Sequence, residues 1–230
     1  EGANLGLTQA GRIEFALAGG RINTDAIDNS AGVDTSDHEV NIKILAGMAI
    51  RSGVLAPGER DALLASMTDD IAAHVLAHNY DQTLQLSLQE AAAVADLDAQ
   101  ARFMTSLEAR GRLNRALEGL PSAVAVAERA MSGKGLTRPE RAVLLAYGKL
   151  ELFDQLIASA APDDAYFETT LRHYFPARLG RFEDEMRRHR LRREIIATVV
   201  DNDIVNLCGP TFAGRLMAGT GCDAAGVAVA

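Results

Sequence analysis

The chain has 230 residues, 48% of them hydrophobic and 23% charged, with a formal net charge of −8. That balance fits a folded protein able to bury a sizeable core and argues against disorder. The acidity is spread along the chain, with four basic against seven acidic residues over positions 1–52, so no segment reads as a basic arm for nucleic acid.

In chain order, the first stretch reads turn, helix, strand, turn, helix. The opening "EGAN" stands where an initiator Met would be, as expected of a piece cut from a longer chain. Thr8 is placed to cap a helix through Ala18, with Ile13, Phe15, Ala16 and Leu17 on its apolar side and Gly19-Gly20 ending it. "RINTDAID" alternates as a short strand anchored by Ile22 and Ile27, and "NSAG" is turn chemistry. A helix follows in "SDHEVNIKILAGMAIRSG", with Val40, Ile44, Leu45 and Met48 at helical spacing. "LAPGER" reads as a linker. Beyond it a period of 3.6 residues prevails, with a helix starting at Thr68-Asp69-Asp70 and others over 93–111, 122–132, 138–160, 164–174, 178–207 and 211–218. "LTRPE" is a helix start, with Thr137 as cap, Pro139 in the first turn and Glu140 completing a capping box. The expected fold is mainly α: a short α/β remnant of a Rossmann-like domain over 1–52, followed by a helical domain over 57–230.

Two turns carry the candidate chemistry. Asn4 in "EGAN" and Asn29 in "NSAGV" each offer donors and an acceptor, and at the carboxyl ends of strands they would face a cofactor crevice. Asn also serves commonly as a turn residue that satisfies its own backbone. Ser36 begins "SDHE", itself a capping box with Glu39. A capping hydroxyl can still point its proton at a carboxylate. Asp37 would oppose an anionic ligand and is expected to point away.

The run from "EGANLGLTQAGRIEFALAGGRINTDAIDNSAGVD" through "TSDHEVNIKIL" resembles the large, multidomain NAD-specific glutamate dehydrogenases of bacteria, and "NYDQT" and "RREIIATVV" are similar to the C-terminal region of that family. The resemblance implies oxidative deamination of L-glutamate to 2-oxoglutarate and ammonia, with NAD as cofactor, in a homo-oligomer. It assigns Asn4 and Asn29 to cofactor binding, and Asn29, Val33 and Ser36 to the substrate. Two departures stand beside these. Leu5-Gly6-Leu7-Thr8 replaces the relatives' Gly-Pro-Thr-Thr, and Asp37-His38 replaces an aromatic pair. The glycine-rich nucleotide fingerprint and the catalytic Lys and Asp of the family belong upstream, so the chain is expected to form one wall of the active site and to be inactive alone.

Other motifs read more plainly. His38 is expected to be an exposed polar residue in a first turn. His74 and His78 in "HVLAH" lie one helical turn apart, but Val75 stands where a zinc-protease motif has Glu and no third ligand is evident, so no metal is assigned. The seven arginines between Arg178 and Arg193 are interleaved with Glu183, Asp184 and Glu185, the pattern of a solvated or subunit-contacting face. Cys208 and Cys222 fit neither a disulfide framework nor a zinc pattern. With no apolar run long enough to span a bilayer, a cytoplasmic protein without membrane or nucleic-acid partners is expected. The reading from a different class is a non-catalytic helical regulatory or oligomerisation module. Within the enzyme class, a related dehydrogenase acting on an apolar amino acid is the alternative.

Overall fold

The structure, a computed structural model, describes residues 6–229, apart from the side chains at positions 28 and 30. The described residues form α-helices joined by turns and short 3-10 segments. Helix α1 (Gln9–Leu17) starts where its cap residue indicates, the Thr8 hydroxyl accepting from the Gly11 amide at 3.1 Å. Arg12 on α1 is 2% exposed and donates to the carbonyls of Leu7 and Asn23, tying the helix to the segment that follows.

That segment corrects the expected strand. Residues 21–24 run without regular structure into a one-turn helix, α2 (Asp25–Asp28), and no strand forms among the described residues. Ile22 and Ile27 lie five positions apart, a spacing that fixes apolar anchors but supplies no partner, and a strand persists only when its backbone groups find a ladder. Helix α3 (Ser30–Arg51) then begins at once, with Asn29 ending α2 and preceding α3. The start lies six residues before the expected capping box. Ser36 is therefore inside the helix, where its hydroxyl donates to the Gly32 carbonyl at 3.0 Å, and Glu39 pairs with Lys43 one turn on.

Ile42, Leu45, Ala46 and Ala49 on α3 are at most 1% exposed and recur at the spacing of one helix face. They enter the main core with Leu145, Leu152, Val200 and Val205 from later helices. After α4 (Arg60–Ala65) comes the long α5 (Thr68–Ala91), which packs along α3. Helices α6 (Leu97–Ala109) and α7 (Ala123–Met131) build a second, smaller core around Met104, Leu107 and Leu136. Helix α8 (Arg138–Ala158) lies between the two, giving Val143 and Leu144 to one and Leu145, Leu152 and Leu156 to the other. Its capping box forms as the sequence indicates, with Glu140 also clamping Arg129 of α7 through bonds of 2.6 and 2.9 Å.

The expected single helix over 178–207 is divided. A 3-10 segment (Ala177–Phe182) follows α9 (Glu168–Tyr174), then α10 (Glu183–Arg187), a turn, and α11 (Arg192–Cys208). The break centres on His189, 4% exposed, which accepts from the Leu191 amide and bonds the Asn41 carbonyl on α3. A ring that takes over a backbone donor interrupts the helical ladder. The arginines around the break pair within the chain: Arg187 with Glu168 and Glu183, Arg188 with Glu185, Arg192 and Arg193 with Asp163. Helix α11 packs most extensively on α8, and α12 (Phe212–Thr220) and α13 (Ala224–Val229) close the end of that pair. No helix among the described residues is long and apolar enough to cross a membrane.

Candidate functional site

Where α3, α5, α8, α9 and α11 converge, the apolar core gives way to polar groups. Asp34, Asp37 and His38 come from α3, His74 and His78 from α5, Lys149 from α8, Tyr174 from the end of α9, and Asp201 from α11. The helical period produces the local part of this layer, because Asp34 and His38, like His74 and His78, are four residues apart on one face.

The layer is joined by specific contacts. Asp34 Oδ2 lies 2.7 Å from His78 Nδ1, across a sequence separation of 44, and Asp34 Oδ1 lies 3.6 Å from His38 Nε2. Asp37 accepts from the Tyr174 hydroxyl at 2.8 Å, and that hydroxyl accepts from the Asn41 amide at 2.8 Å. The His38 ring stacks on Tyr174 with centroids 4.5 Å apart and is 1% exposed. The hydrogen bond to Asp34 raises the pKa of His78 above the ordinary histidine range, whereas burial lowers that of His38. Burial also pushes Asp201 up to about 8 and Lys149 down to about 8, each partly countered by the other's charge. Tyr174 is likewise raised by burial.

An open cleft of about 490 Å³ lies beside this layer, lined by Asn29, Val33, Asp34, Asp37, His78 and Gln82, with Thr198 and Asn202 of α11 opposite. His78 also borders a neighbouring cavity of about 240 Å³ that His38, His74, His173 and Tyr174 share.

Of the residues singled out in the sequence, Asn29 and Val33 come together on the larger cleft, Asn29 half-buried and Val33 exposed. Ser36 lies one turn further on, exposed and bonded to its own helix. Asn4 lies outside the described residues. Asp37 borders the cleft, contrary to the expectation that it would point away, because the early start of α3 turns it toward Tyr174. His38, expected at the surface, is buried for the same reason. The sequence reading missed Asp34, Lys149, Tyr174 and Asp201. A charged residue at the spacing of a buried stripe was the available signal for Asp201, which follows Ile196 and Val200; the others come together only through contacts between distant helices.

The fold and the cleft together define a helical domain presenting amide, carboxylate and imidazole groups to a ligand-sized opening. Two family models match the chain: "Bacterial NAD-glutamate dehydrogenase, catalytic domain" over residues 1–89 and "Glutamate dehydrogenase, C-terminal" over residues 133–230. The chain belongs to the bacterial NAD-specific glutamate dehydrogenase family. It is 51% identical over 229 residues to an NAD-specific glutamate dehydrogenase of Pseudomonas aeruginosa and 48% identical over 229 residues to that of Halomonas elongata, matching 99% of this chain and 14% of each relative. Against the enzyme so named in Mycobacterium tuberculosis it is 49% identical over 217 residues, or 94% of this chain and 13% of the relative. The chain thus corresponds to a short stretch of the relatives it matches.

Proposed function

We propose that the chain is part of an NAD-dependent glutamate dehydrogenase, which oxidises L-glutamate with water to 2-oxoglutarate and ammonia, and that the turn from Asn29 to Val33 supplies one wall of its cleft. The observation that carries this reading is the identity of 51% with an NAD-specific glutamate dehydrogenase across 99% of the chain. The cleft supports it. Its volume of about 490 Å³ falls within the roughly 300–1,000 Å³ typical of small-molecule sites. A half-buried Asn29 side chain there can both donate to and accept from a carboxamide or a ribose hydroxyl. A bound nicotinamide would supply the acceptor for the hydride of the substrate Cα. The part of Asn29 is to orient, with Asn4 proposed as a second amide, while Val33 limits the space and Ser36 meets the substrate from the next turn. Asp37 is held by Tyr174 and Asn41 and Asp34 by His78, so neither carboxylate is bare toward an anionic ligand.

The remaining helices brace this wall and meet a second copy in a cytoplasmic homo-oligomer. The test is Asn29→Ala in the full-length enzyme. Loss of a positioning hydrogen bond is expected to lower kcat about 10–100-fold. An unchanged rate removes Asn29 from the cleft wall. The 230-residue chain alone is expected to show no glutamate oxidation. If full-length enzyme lacking residues 57–230 retained full activity, the helical part would instead be a non-catalytic module.

A further inference from the structure

We propose that Asp34, His38 and His78 bind a divalent transition-metal ion, zinc by preference, between α3 and α5. One carboxylate oxygen and one ring nitrogen from each histidine lie within 4.8 Å of one another. A tetrahedral zinc ion, with bonds of about 2.0–2.2 Å, sets its donors roughly 3.3 Å apart. Asp34 already stands 2.7 Å from His78 through Oδ2 and 3.6 Å from His38 through Oδ1, so side-chain shifts of about 1–2 Å would bring the donors to that spacing.

A second observation points independently to a ligand. His38 is 1% exposed, yet neither of its ring nitrogens has a hydrogen-bond partner among the described residues. Buried polar side-chain atoms are nearly always satisfied. The Asp34–His78 bond does not supply the missing partner, and the stacking of His38 on Tyr174 uses only the ring face, the phenol being turned to Asp37 and Asn41. A metal ion beside Asp34 would give a ring nitrogen of His38 the missing contact. Two imidazoles and a carboxylate suit zinc and its borderline neighbours, whereas magnesium and calcium seek oxygen donors. His74 lies outside this set, its ring centroid 5.6 Å from that of His38 and 6.5 Å from that of His78, and the adjoining cavity of about 240 Å³ can admit water as a fourth donor.

The ion would pin the first turns of α3 to α5. Asp34 and His78 also border the cleft assigned above to the dehydrogenase, but metal content is measured independently of glutamate oxidation.

The experiment uses the full-length protein that carries this chain, prepared without a histidine tag, stripped with a chelator and titrated with Zn²⁺ against a chromophoric competitor. Wild type is expected to bind one more equivalent per chain than either Asp34→Asn or His78→Gln. Removing a partner behind a ligand already weakens such sites about 10–100-fold, and losing a ligand is expected to weaken this one no less. His78 is half-exposed, so its replacement tests the site without disturbing the core, and circular dichroism checks that both variants keep their helices. His173→Gln, in the same cavity but outside the ligand set, is expected to keep the equivalent. With Co²⁺ in place of zinc, the visible bands of a tetrahedral site are expected in wild type and absent from both ligand variants. Equal zinc equivalents in wild type and folded Asp34→Asn and His78→Gln proteins would overturn the proposal, as would loss of the equivalent in His173→Gln alone.

Discussion

Asp201 is 4% exposed on α11, and burial raises its carboxyl from 3.8 to about 8. The folded chain therefore holds a proton that the unfolded chain releases above pH 3.8. Stability contributed by that proton is present at low pH and is lost as pH rises toward 8. Each pH unit within this window removes about 1.4 kcal/mol, which amounts to about 4 kcal/mol between pH 5 and pH 8 if the whole shift is realised. Water entry and side-chain relaxation reduce this to about 2 kcal/mol. Lys149 has the opposite sign in a different window. Burial lowers it from 10.5 to about 8, so the unfolded chain binds the extra proton there and the stability lost on burying the cation is regained as pH rises above 8. Asp201→Asn keeps the shape and removes the titration. Urea unfolding of the 230-residue chain, followed by circular dichroism at pH 5, 6.5 and 8, is expected to show the variant gaining about 2–4 kcal/mol on wild type across the range. A difference between the two proteins that stays constant within about 0.5 kcal/mol from pH 5 to pH 8 would refute the reasoning, because it would mean that Asp201 titrates alike in the folded and unfolded chains.

Glu140 is 1% exposed and accepts from Arg129, from the Thr137 amide at 2.6 Å and from the Thr137 hydroxyl at 2.8 Å. Glu140→Ala strands a partly buried guanidinium and uncaps α8, with an expected loss of about 2–4 kcal/mol in urea unfolding; a loss below about 1 kcal/mol would contradict the clamp. A Cβ on Gly148 would stand 2.7 Å from the Pro210 Cα and Cβ, so Gly148→Ala is expected to cost about 1–3 kcal/mol and lower Tm. On α3, where a Cβ at Gly47 meets only the end of Arg51 at 3.6 Å, Gly47→Ala is expected to stabilise by up to about 1 kcal/mol, and opposite signs for these two alanines would be read directly from Tm.

The sequence revealed what is local. The capping box at Thr137 and Glu140, the Thr8 cap and the helix expected over 138–160 follow from residues within one or two helical turns, and all three form. What failed depended on partners far away. The alternation around Ile22 and Ile27 could not say that no second strand lies beside it among the described residues. The arginine run looked continuous because nothing near His189 reveals that its ring bonds the Asn41 carbonyl, 148 residues earlier in sequence. The candidate site was legible only in part. Asn29 and Val33 reach one cleft wall because they are four apart where α3 begins, whereas the sequence placed Asn29 at a strand end and paired it with Val33 only through the family resemblance. The meeting of Asp34 and His78 spans 44 residues. It depends on α3 starting at Ser30, since a start at Ser36 would leave Asp34 outside the helix and remove the four-residue relation that brings it beside His38.

The electrostatics of the cleft then bear on the proposed function. Two unit charges about 4 Å apart interact by about 4 kcal/mol at the effective dielectric near a protein surface. A bare carboxylate at Asp34 or Asp37 would by that measure oppose an anionic ligand beside Asn29 by more than a typical single hydrogen bond of about 1 kcal/mol returns. Neither is bare. Asp37 is held by one phenol and one amide, and Asp34, accepting from His78, favours the charged form of that ring. Buried Asp201 behind them favours the neutral form as pH falls below about 8. Asp34 and Asp37 are thus each matched by a donor on another helix, and Asp201 by a proton. For the proposed dehydrogenase, α5 and α9 do more than brace the wall: they supply the imidazole of His78 to Asp34 and the phenol of Tyr174 to Asp37, beside the turn carrying Asn29.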